Sequence, residues 1–511
     1  MTLRPLYHWR CPDLPPWHWM RRRRRPFVRT CTLAIPVRQM AQGSQSKYPG
    51  RLRTIGPTIV IDKDMQVIYS AIASLGPPPA GDRQNGWMPA GRFCAGHFYI
   101  DSVWRRTMGS LMDRLSQSGR TCIWPWVVLG VGLMSGPALA GPTDASCYAQ
   151  RNLVSNSSAF APQIVDPLVR NAWGLSLRPA GLGGHFWVAN TETGTATTYV
   201  GDTDSTPLYQ DDLKFVTVAP PPLAAEGTTA TPTGQVFSGS DTDFVVSGEG
   251  ITAPSRFLWV TEDGTLSGWA ERTNPDGSVE RMTRSVLVVD KSQQGAIYKG
   301  LAVTPYPRGN RLYAANFAQG RIEVYDGAFR PVPLIRTTTQ GWIEPFAHPE
   351  AVPAEYAPFN VQFLGERVYV TYAKTTEDPN TEEQGPGLGY VAVFTPRGQY
   401  LRTLEHSERL NAPWGLAIAP EDFGSLSGAL LVGNFGDGTI VAFDRQSGQQ
   451  VGYLSGPDRQ SIKVDGLWGL TFGNGESLGR ANYLYFAAGP NDEQDGLFGS
   501  LNAVSCTAGG A

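Results

Sequence analysis

Residues 414–444, WGLAIAPEDFGSLSGALLVGNFGDGTIVAFD, decide the fold. They begin with a Trp-Gly step that opens a short apolar strand, WGLAI from Trp414. The run ALLVGNFGDGTIVAFD follows from Ala429, where an apolar triplet, a small or polar pair and a Gly turn lead into a second β-rich segment. Short apolar runs separated by Gly turns predict antiparallel β structure.

These two markers recur six times in the same order. The second residue of the opening step falls at 174, 234, 300, 360, 415 and 469, with spacings of 60, 66, 60, 55 and 54 residues. Each unit has room for about four short strands and cannot bury both faces of its sheet alone. We therefore predict an all-β fold, a six-bladed β-propeller with four-stranded blades. The alternative is a coincidental periodicity in an all-β sandwich.

The ends of the repeat region predict how the ring closes. The last unit runs out of chain after Cys506, so its outermost strand must come from elsewhere. Residues 148–155 precede the first marker and are a spare strand; pairing them with 498–505 would place Cys147 beside Cys506. We expect an N-terminal strand to close the ring and a disulfide to join the two cysteines. The alternative is two unrelated thiols.

The composition changes near residue 140. The first 140 residues hold 19 of the 43 Lys and Arg residues but 6 of the 45 Asp and Glu residues, which leaves 141–511 with a formal charge of −15. This acidic body argues against nucleic acid as a partner, because affinity for the phosphate backbone rests on Lys and Arg. It fits a soluble protein or one that prefers cationic ligands.

Residues 112–140 have the pattern of a secretory signal peptide. Arg114 and Arg120 precede the apolar run CIWPWVVLGVGLM, and the final PALA has a small-x-small cleavage pattern. We expect cleavage after Ala140, a periplasmic or secreted propeller over 141–511, and no stable membrane insertion after cleavage. The alternative is a buried strand or helix. Residues 1–111, with five consecutive arginines from Arg21, are expected to be an extension that is either not translated or disordered.

Longer motifs point to a family by resemblance. LVRNAWGLSL from Leu168, TEDGTLSGW from Thr261, YAPFNVQFL from Tyr356 and DGLWGLTFGNG from Asp465 stand in order along the chain. Over roughly residues 150–503 the sequence resembles an uncharacterised exported bacterial propeller family related to NHL repeats, some members of which end in a PEP-CTERM sorting tail. The resemblance implies the fold and export but no defined chemistry. The final SCTAGGA has no apolar anchor, so sorting by that tail is not implied.

The positions at the opening step of each unit are the first candidate binding ring, because propellers bind ligands at a mouth of the central channel. They are Trp173, Thr233, Lys299, Phe359, Trp414 and Trp468, with Asn360 in place of the fourth Gly. Related six-bladed lactonases hold a divalent metal there through carboxylates and amides, whereas this ring is mostly aromatic and offers few oxygen ligands. Such aromatics could stack on a sugar or hold a cation. The alternative is wedge packing between blades.

A second candidate ring stands at the end of the next strand in each unit. It comprises Asn190, Glu262, Asn316, Tyr372, Asn434 and Ala488. One interpretation is a polar collar around a channel mouth, and the other is Asn side chains that cap turns through their own backbone. Two acidic loops, 491–496 and 436–438, are candidate Ca²⁺ ligands without EF-hand spacing, or else solvated turns.

Sequence motifs for catalysis are weak. His185, His348 and His406 lack metal-ligand spacing, and there is no nucleophile elbow, phosphate loop or dinucleotide fingerprint. We therefore assign no catalytic residue, no metal ligand and no cofactor beyond the candidate Ca²⁺. The favoured function is a monomeric, non-catalytic binding or scaffold module for an unknown small molecule, glycan or peptide. The alternatives are a metal-dependent hydrolase or lactonase-like enzyme using the channel, and a structural surface protein.

Overall fold

The computed structural model of the chain describes residues 146–332, 346 and 352–506. The predicted signal peptide and the extension before it lie outside these residues. The described chain is almost entirely β structure, with four 3₁₀ turns at Ser158–Phe160, Thr191–Thr193, Ser292–Gln294 and Gly424–Leu426. In this part of the chain, no helix has the length and apolar character needed to cross a membrane.

The first half of the described chain forms the initial sheets, which we call blades. The chain starts with β1 (Ser146–Ser155) and β2 (Ile164–Val165), which join the last blade. Blade 1 contains β3 (Ala172–Leu177), β4 (Phe186–Asn190), β5 (Thr195–Tyr199) and β6 (Phe215–Thr217). The next segment holds β7 (Pro232–Phe237), β8 (Val245–Gly248), β9 (Ile251–Pro254), β10 (Phe257–Thr261), β11 (Thr265–Trp269), β12 (Glu271–Thr273), β13 (Val279–Arg281) and β14 (Val286–Asp290). Blade 2 is formed by β7, β10, β11 and β14, whereas β8–β9 and β12–β13 are separate hairpins.

The second half completes the set. Blade 3 contains β15 (Tyr298–Thr304), β16 (Arg311–Asn316) and β17 (Arg321–Asp326). Blade 4 contains β18 (Tyr356–Leu364), β19 (Arg367–Thr375), β20 (Glu382–Glu383), β21 (Gly389–Phe394) and β22 (Tyr400–Thr403). Blade 5 contains β23 (Pro413–Ile418), β24 (Leu430–Asn434), β25 (Ile440–Phe443) and β26 (Gln450–Tyr453). Blade 6 contains β27 (Leu467–Phe472), β28 (Leu484–Ala488) and β29 (Leu497–Ser505), together with β1 and β2.

The blades form a closed ring. The inner strands β3, β7, β15, β18, β23 and β27 each contact the next one, and β27 contacts β3. The predicted six-bladed propeller is therefore confirmed. Three blades differ from the predicted four strands. Blade 4 has the additional short strand β20, and blade 6 has five strands. Blade 3 has three strands among the described residues, which do not include residues 333–345.

The hydrophobic core is divided among the interfaces between adjacent blades. Six hydrophobic clusters each fill the space between two adjacent blades, and a seventh lies at the centre. Alternation along a strand explains this arrangement, because successive side chains point to opposite faces of a sheet. In β10, Trp259 packs toward blade 1 and its neighbour Leu258 packs toward blade 3. Strands buried on both faces are the reason that the repeat motifs are continuously apolar.

The N-terminal strand closes the ring as predicted. β1 pairs antiparallel with β29 from Ser146↔Ser505 to Ser155↔Leu497, with a bulge after Asn152. A disulfide joins Cys147 to Cys506. Arg151 of β1 also forms a 3.0 Å ion pair with Asp202 of the loop that follows β5. The two ends of the described chain are thus held by backbone pairing, a covalent bond and a side-chain contact with blade 1.

Candidate functional site

Both predicted rings lie on one face of the propeller. Each inner strand begins where the second strand of its blade ends, since Ala172 pairs with Asn190 and Pro413 pairs with Asn434. Blade 3 follows the same rule through Tyr298 and Asn316. We call this face the top face. In all six blades, the loop that follows the second strand therefore lies on the top face.

The marker glycines bring the inner strands together at the axis. A Cβ built on Gly415 would lie 2.4 Å from the backbone oxygen of Trp468 in blade 6. One built on Gly300 would lie 2.6 Å from Cα of Asn360 in blade 4. Asn360, which replaces the fourth Gly, instead donates from Nδ2 to the Trp414 oxygen over 2.8 Å. Asn360 therefore bridges adjacent inner strands by hydrogen bonding where the other blades use close backbone approach.

The aromatic members of the first ring meet at the centre of the top face. Trp173 stacks on Trp468 at 3.6 Å between ring centroids, and Trp414 and Phe359 lie 6.0 and 5.8 Å from Trp468. All four rings are at most 3% exposed. Phe435 stacks on the Trp468 ring at 3.8 Å. These rings contact one another, which is the arrangement that wedge packing between blades requires; we call them the aromatic plug.

Lys299 lies beside the aromatic plug. Its ammonium is 5.1 Å from the Trp173 ring centroid and 2.5 Å from Oε1 of Glu262. The Lys299 side chain is 3% exposed, whereas that of Glu262 is 18% exposed. A buried ammonium needs a partner of opposite charge, and here a carboxylate and an aromatic face supply it. The structure thus joins one residue from each predicted ring, Lys299 and Glu262, in a single contact.

The charges of two further acidic residues, Glu493 and Glu382, interact with those of this pair. Burial is the main cause that raises the pKa of Glu493 to about 7, and the negative charges of Glu262 and Glu382 add to it. The Lys299 charge and the hydrogen bond that Asn171 donates act in the opposite direction. Burial likewise raises the pKa of Glu382, with Glu262 adding to it against Lys299. Asn171, Glu262, Lys299, Glu382 and Glu493 form what we call the axial cluster.

The axial cluster was not predicted as a unit. Glu262 follows β10, Glu382 follows β19 and Glu493 follows β28, so the three carboxylates come from blades 2, 4 and 6. Glu262 and Glu493 lie in loops, whereas Glu382 lies in the short strand β20; all three follow a second strand, and that shared position was visible in the repeats. The sequence indicated Glu493 only as part of the candidate Ca²⁺ loop 491–496 and did not indicate Glu382, because both lie in segments of irregular length where the alignment of the units ends.

The Asn residues of the second ring bind their own blades. Nδ2 of Asn190 donates to the Val188 oxygen over 3.0 Å, and Nδ2 of Asn434 donates to Oγ1 of Thr439 over 2.9 Å. Oδ1 of Asn316 accepts from the Ile297 backbone N–H over 3.3 Å. All three Asn residues are completely buried. These contacts tie second strands to neighbouring turns.

The remaining members of the two rings are also buried. Oγ1 of Thr233 donates to the Tyr298 oxygen over 2.7 Å and so links blades 2 and 3. Tyr372 is 1% exposed, and burial raises its pKa well above the usual range. Ala488 packs in the cluster between blades 5 and 6. These three residues pack against other parts of the propeller and are not exposed on the top face.

The candidate Ca²⁺ loops carry oxygens that are already engaged. Oδ1 of Asp437 accepts from the backbone and the hydroxyl of Thr439. Oδ1 of Asp495 accepts from Nδ2 of Asn156 over 2.7 Å. In the described part of the chain, no group of three or more His, Cys, Asp or Glu residues is arranged to hold a metal ion.

A cavity lies on the top face between blades 3 and 4. Its volume is about 280 Å³, and its lining includes Phe317 and Ala357, which belong to the same central hydrophobic cluster as the aromatic plug. Thr375, another lining residue, pairs with Glu382 across the β19–β20 ladder. Glu377 adds an exposed carboxylate to the wall. The cavity therefore reaches β19, the strand that pairs with β20, where Glu382 lies.

Comparison with known proteins identifies relatives that match more than two thirds of the chain. The chain is 30% identical to "Uncharacterized protein R648" of Acanthamoeba polyphaga mimivirus over 357 residues, which are 68% of this chain and 78% of that protein. The chain belongs to the R648 family. A further relative, "Uncharacterized protein L690" of the same virus, is 28% identical over 71% of this chain and 87% of its own length. No family profile matches the chain.

Solved structures similar to this member of the R648 family include propellers. The "Dos1 propeller" gives a TM-score of 0.33 at 11% identity, covering 66% of this chain and 69% of that one. A gluconolactonase from Xanthomonas campestris gives 0.26 at 13% identity, covering 71% and 99%. A virginiamycin B lyase from Staphylococcus aureus gives 0.33 at 9% identity, covering 70% and 100%. The similarity is too low to relate their chemistry to this chain.

Proposed function

We propose that this member of the R648 family is a non-catalytic binding propeller that takes its ligand at the axial cluster on the top face. The observation that carries the proposal is the buried ion pair between Lys299 and Glu262, which come from different blades and lie on the top face. Buried charges are costly, and carboxyl groups with a strongly shifted pKa cluster at binding and catalytic sites. The aromatic plug also contacts this cluster, because the Trp414 indole N–H donates a hydrogen bond to the backbone oxygen of Lys299 over 3.1 Å.

A ligand screen by thermal shift tests the proposal. Amines, glycans, lactones and Ca²⁺ are added to the purified protein and to its Glu262→Gln and Glu493→Gln variants. Glu421→Gln is the matched control, since Glu421 is exposed in the β23–β24 loop, away from the top face. We expect a ligand to raise the Tm of the wild type and the control but not of the axial variants. Equal shifts in all four proteins would contradict binding at the axial cluster.

Export is part of this proposal. It is supported by the signal-like segment 112–140 and by the disulfide between Cys147 and Cys506, because structural disulfides persist in oxidising compartments. Mass spectrometry of the native N-terminus provides the test. We expect a product that begins at Gly141, and recovery of an exported protein that begins at Met1 would refute this part.

The alternative is a hydrolase or lactonase-like enzyme that uses the same cluster. One observation favours it: a carboxyl group with a pKa of about 7 suits a general acid or base at neutral pH. Lactone hydrolysis with and without added divalent cations discriminates between the two functions. The binding proposal predicts no turnover above the buffer rate, whereas turnover that Glu493→Gln abolishes would establish the enzyme.

A further inference from the structure

We propose that a second cavity, on the face of the propeller opposite the top face, binds a neutral sugar of one or two rings. The cavity has a volume of about 470 Å³ and is lined by loops of blades 5, 6 and 1. Its polar lining residues are Thr203, Asp204, Asp422, Arg480, Asn482 and Tyr483. These residues are distinct from the axial cluster, so the inference does not depend on the proposed function.

The loops that carry these residues place the cavity on the opposite face. Asp422 lies in the loop from β23 to β24, and Arg480 and Tyr483 lie in the loop from β27 to β28. Each of these loops joins the end of an inner strand to the start of a second strand, on the side of the blade away from the top face. Asp204 lies in the loop from β5 to β6, which leaves the third strand of blade 1 on that same side. The length of a blade strand therefore separates the cavity from the axial cluster.

Contacts between blades hold the walls of the cavity in place. The Gly479 N–H of blade 6 donates to the backbone oxygen of Gly201 in blade 1 over 2.9 Å. On the blade 5 side, the Tyr148 hydroxyl of β1 donates to the backbone oxygen of Phe423, the residue that follows Asp422, over 3.0 Å. Walls that are fixed before binding reduce the conformational entropy that a ligand must overcome.

The lining offers hydrogen-bond donors that the protein does not use. Nη1 of Arg480 donates to the Tyr483 hydroxyl oxygen over 2.5 Å, and the O–H of Tyr483 has no acceptor among the described residues. The amide of Asn482 is half-buried and has no hydrogen-bond partner in the part of the chain that the structure describes. Both groups are therefore free to donate a hydrogen bond to a ligand.

Carboxylates supply acceptors beside these donors. Oδ1 of Asp204 lies 2.7 Å from Nε of Arg480, and the Asp204 side chain is 92% exposed, which places it at the rim. Asp422 is exposed and forms no ion pair with another described residue. A sugar hydroxyl both donates and accepts hydrogen bonds. A ring with several hydroxyl groups can therefore engage the carboxylates and the amide, phenol and guanidinium donors together.

The charge and the size of the cavity select among ligands. Its lining holds two carboxylates and one guanidinium, so an anion meets a net negative charge. A cation meets the Arg480 guanidinium, and the nearby Asp204 carboxylate is already paired with it. The volume of about 470 Å³ is within the range of typical small-molecule sites, which begins at about 300 Å³, whereas the cavity between blades 3 and 4 is smaller. These properties favour a small neutral polyhydroxylated ligand.

Isothermal titration of the full chain with glucose, galactose, mannose and maltose tests the inference. Glucuronate and putrescine are the charged comparison probes. We expect at least one neutral sugar to give saturable binding and both charged probes to bind more weakly than that sugar. No saturable binding of any of the four sugars, or equal or tighter binding of either charged probe, would overturn the inference.

Two variants locate the binding in the cavity. Asp422→Asn and Asn482→Ala should each weaken the sugar about five- to tenfold, because each removes or weakens a hydrogen bond. Asp212→Asn is the matched control and should leave the affinity unchanged, since Asp212 is an exposed carboxylate of the β5–β6 loop outside the cavity lining. Asp422 and Asn482 are not buried, so both variants should keep the wild-type Tm. A loss of affinity in either variant supports the site, and unchanged affinity in both refutes it.

The axial proposal and the cavity proposal fail differently. If Glu262→Gln abolishes sugar binding while Asp422→Asn leaves it intact, the sugar binds at the axial cluster. The cavity proposal is then wrong and the proposed function stands. If the sugar responds to Asp422→Asn, and no ligand of the thermal-shift screen responds to the axial variants, the cavity proposal stands and the proposed function is wrong.

Discussion

At the scale of single residues, the marker glycines set how closely adjacent blades approach. We predict that Gly415→Ala destabilises the propeller by about 2–3 kcal/mol, because its Cβ would overlap a backbone oxygen that cannot move alone. Gly452→Ala in the outer strand β26 is the matched control, since its Cβ would meet the end of the flexible Leu426 side chain. Urea unfolding measures both variants, and equal losses would refute a special role for the inner strand.

Glu323 of β17 is a second residue whose substitution has a defined consequence. Tyr298 and Tyr325 each donate a hydroxyl hydrogen bond to its Oε2 over 2.7 Å, and Arg321 donates to Oε1 over 3.0 Å. Burial alone would raise the pKa of Glu323, but these donors outweigh burial and hold the pKa at about 2. The carboxylate is therefore more stable in the folded protein than in the unfolded chain.

The sign of the pH dependence follows from this depression. The contribution of Glu323 to stability is fully present above its unfolded pKa of about 4.3, and it is lost as the pH falls from there to about 2. Glu323→Gln should cost about 3 kcal/mol at neutral pH, and the difference from wild type should shrink in acid. Chemical unfolding at several pH values measures this difference. Glu280→Gln, at an exposed ion pair, is the control and should change little.

At the scale of elements, the disulfide joins β1 to the residue that follows β29. We predict that the double substitution Cys147→Ser, Cys506→Ser leaves the protein folded but lowers its unfolding free energy by about 2–5 kcal/mol, because the bond closes a long loop in the unfolded chain. Thermal unfolding with and without dithiothreitol measures the effect. The reductant should lower the Tm of the wild type alone, and an unchanged wild-type Tm would contradict a structural role.

The elements were largely predictable from the sequence, whereas the site was not. Short apolar runs and marker glycines repeat because every blade must bury two faces and approach its neighbours at the axis. The partner of Asn360 could not be foreseen, since its amide reaches the Trp414 backbone of the next blade. Nor could the axial cluster, because Glu382 and Glu493 lie in segments that do not repeat between blades. Their proximity to Lys299 depends on the ring and cannot be inferred from spacing along the chain.

The sequence also could not predict that the aromatic residues of the first candidate ring are buried. Trp173 and Trp468 are far apart in sequence, yet they stack at 3.6 Å because blades 1 and 6 are neighbours in the ring. The spacing of the repeats placed both residues on the top face. Whether aromatic rings at that face line an open channel or fill it depends on how closely the inner strands pack. That distance is set by glycine contacts between blades.

At the scale of the whole molecule, the last blade of the ring is completed by β1, a strand from the opposite end of the described chain. Without β1, the backbone groups along one edge of β29 would lose their partners, and an unpaired edge promotes association between chains. We predict that deletion of residues 146–155 yields dimers or larger species, whereas the full chain is monomeric. Size-exclusion chromatography with light scattering measures this difference.

A peptide experiment separates loss of the strand from general misfolding. The synthetic peptide SCYAQRNLVS, which has the sequence of β1, should restore monomers when added to the truncated protein, because an extended peptide can add to a free sheet edge. A scrambled peptide of the same composition should have no effect, since side chains of β1 such as Tyr148 and Leu153 must face the cores beside blade 6. A truncated protein that stays monomeric with the wild-type Tm would show that the other five blades and the remaining strands close the ring without β1.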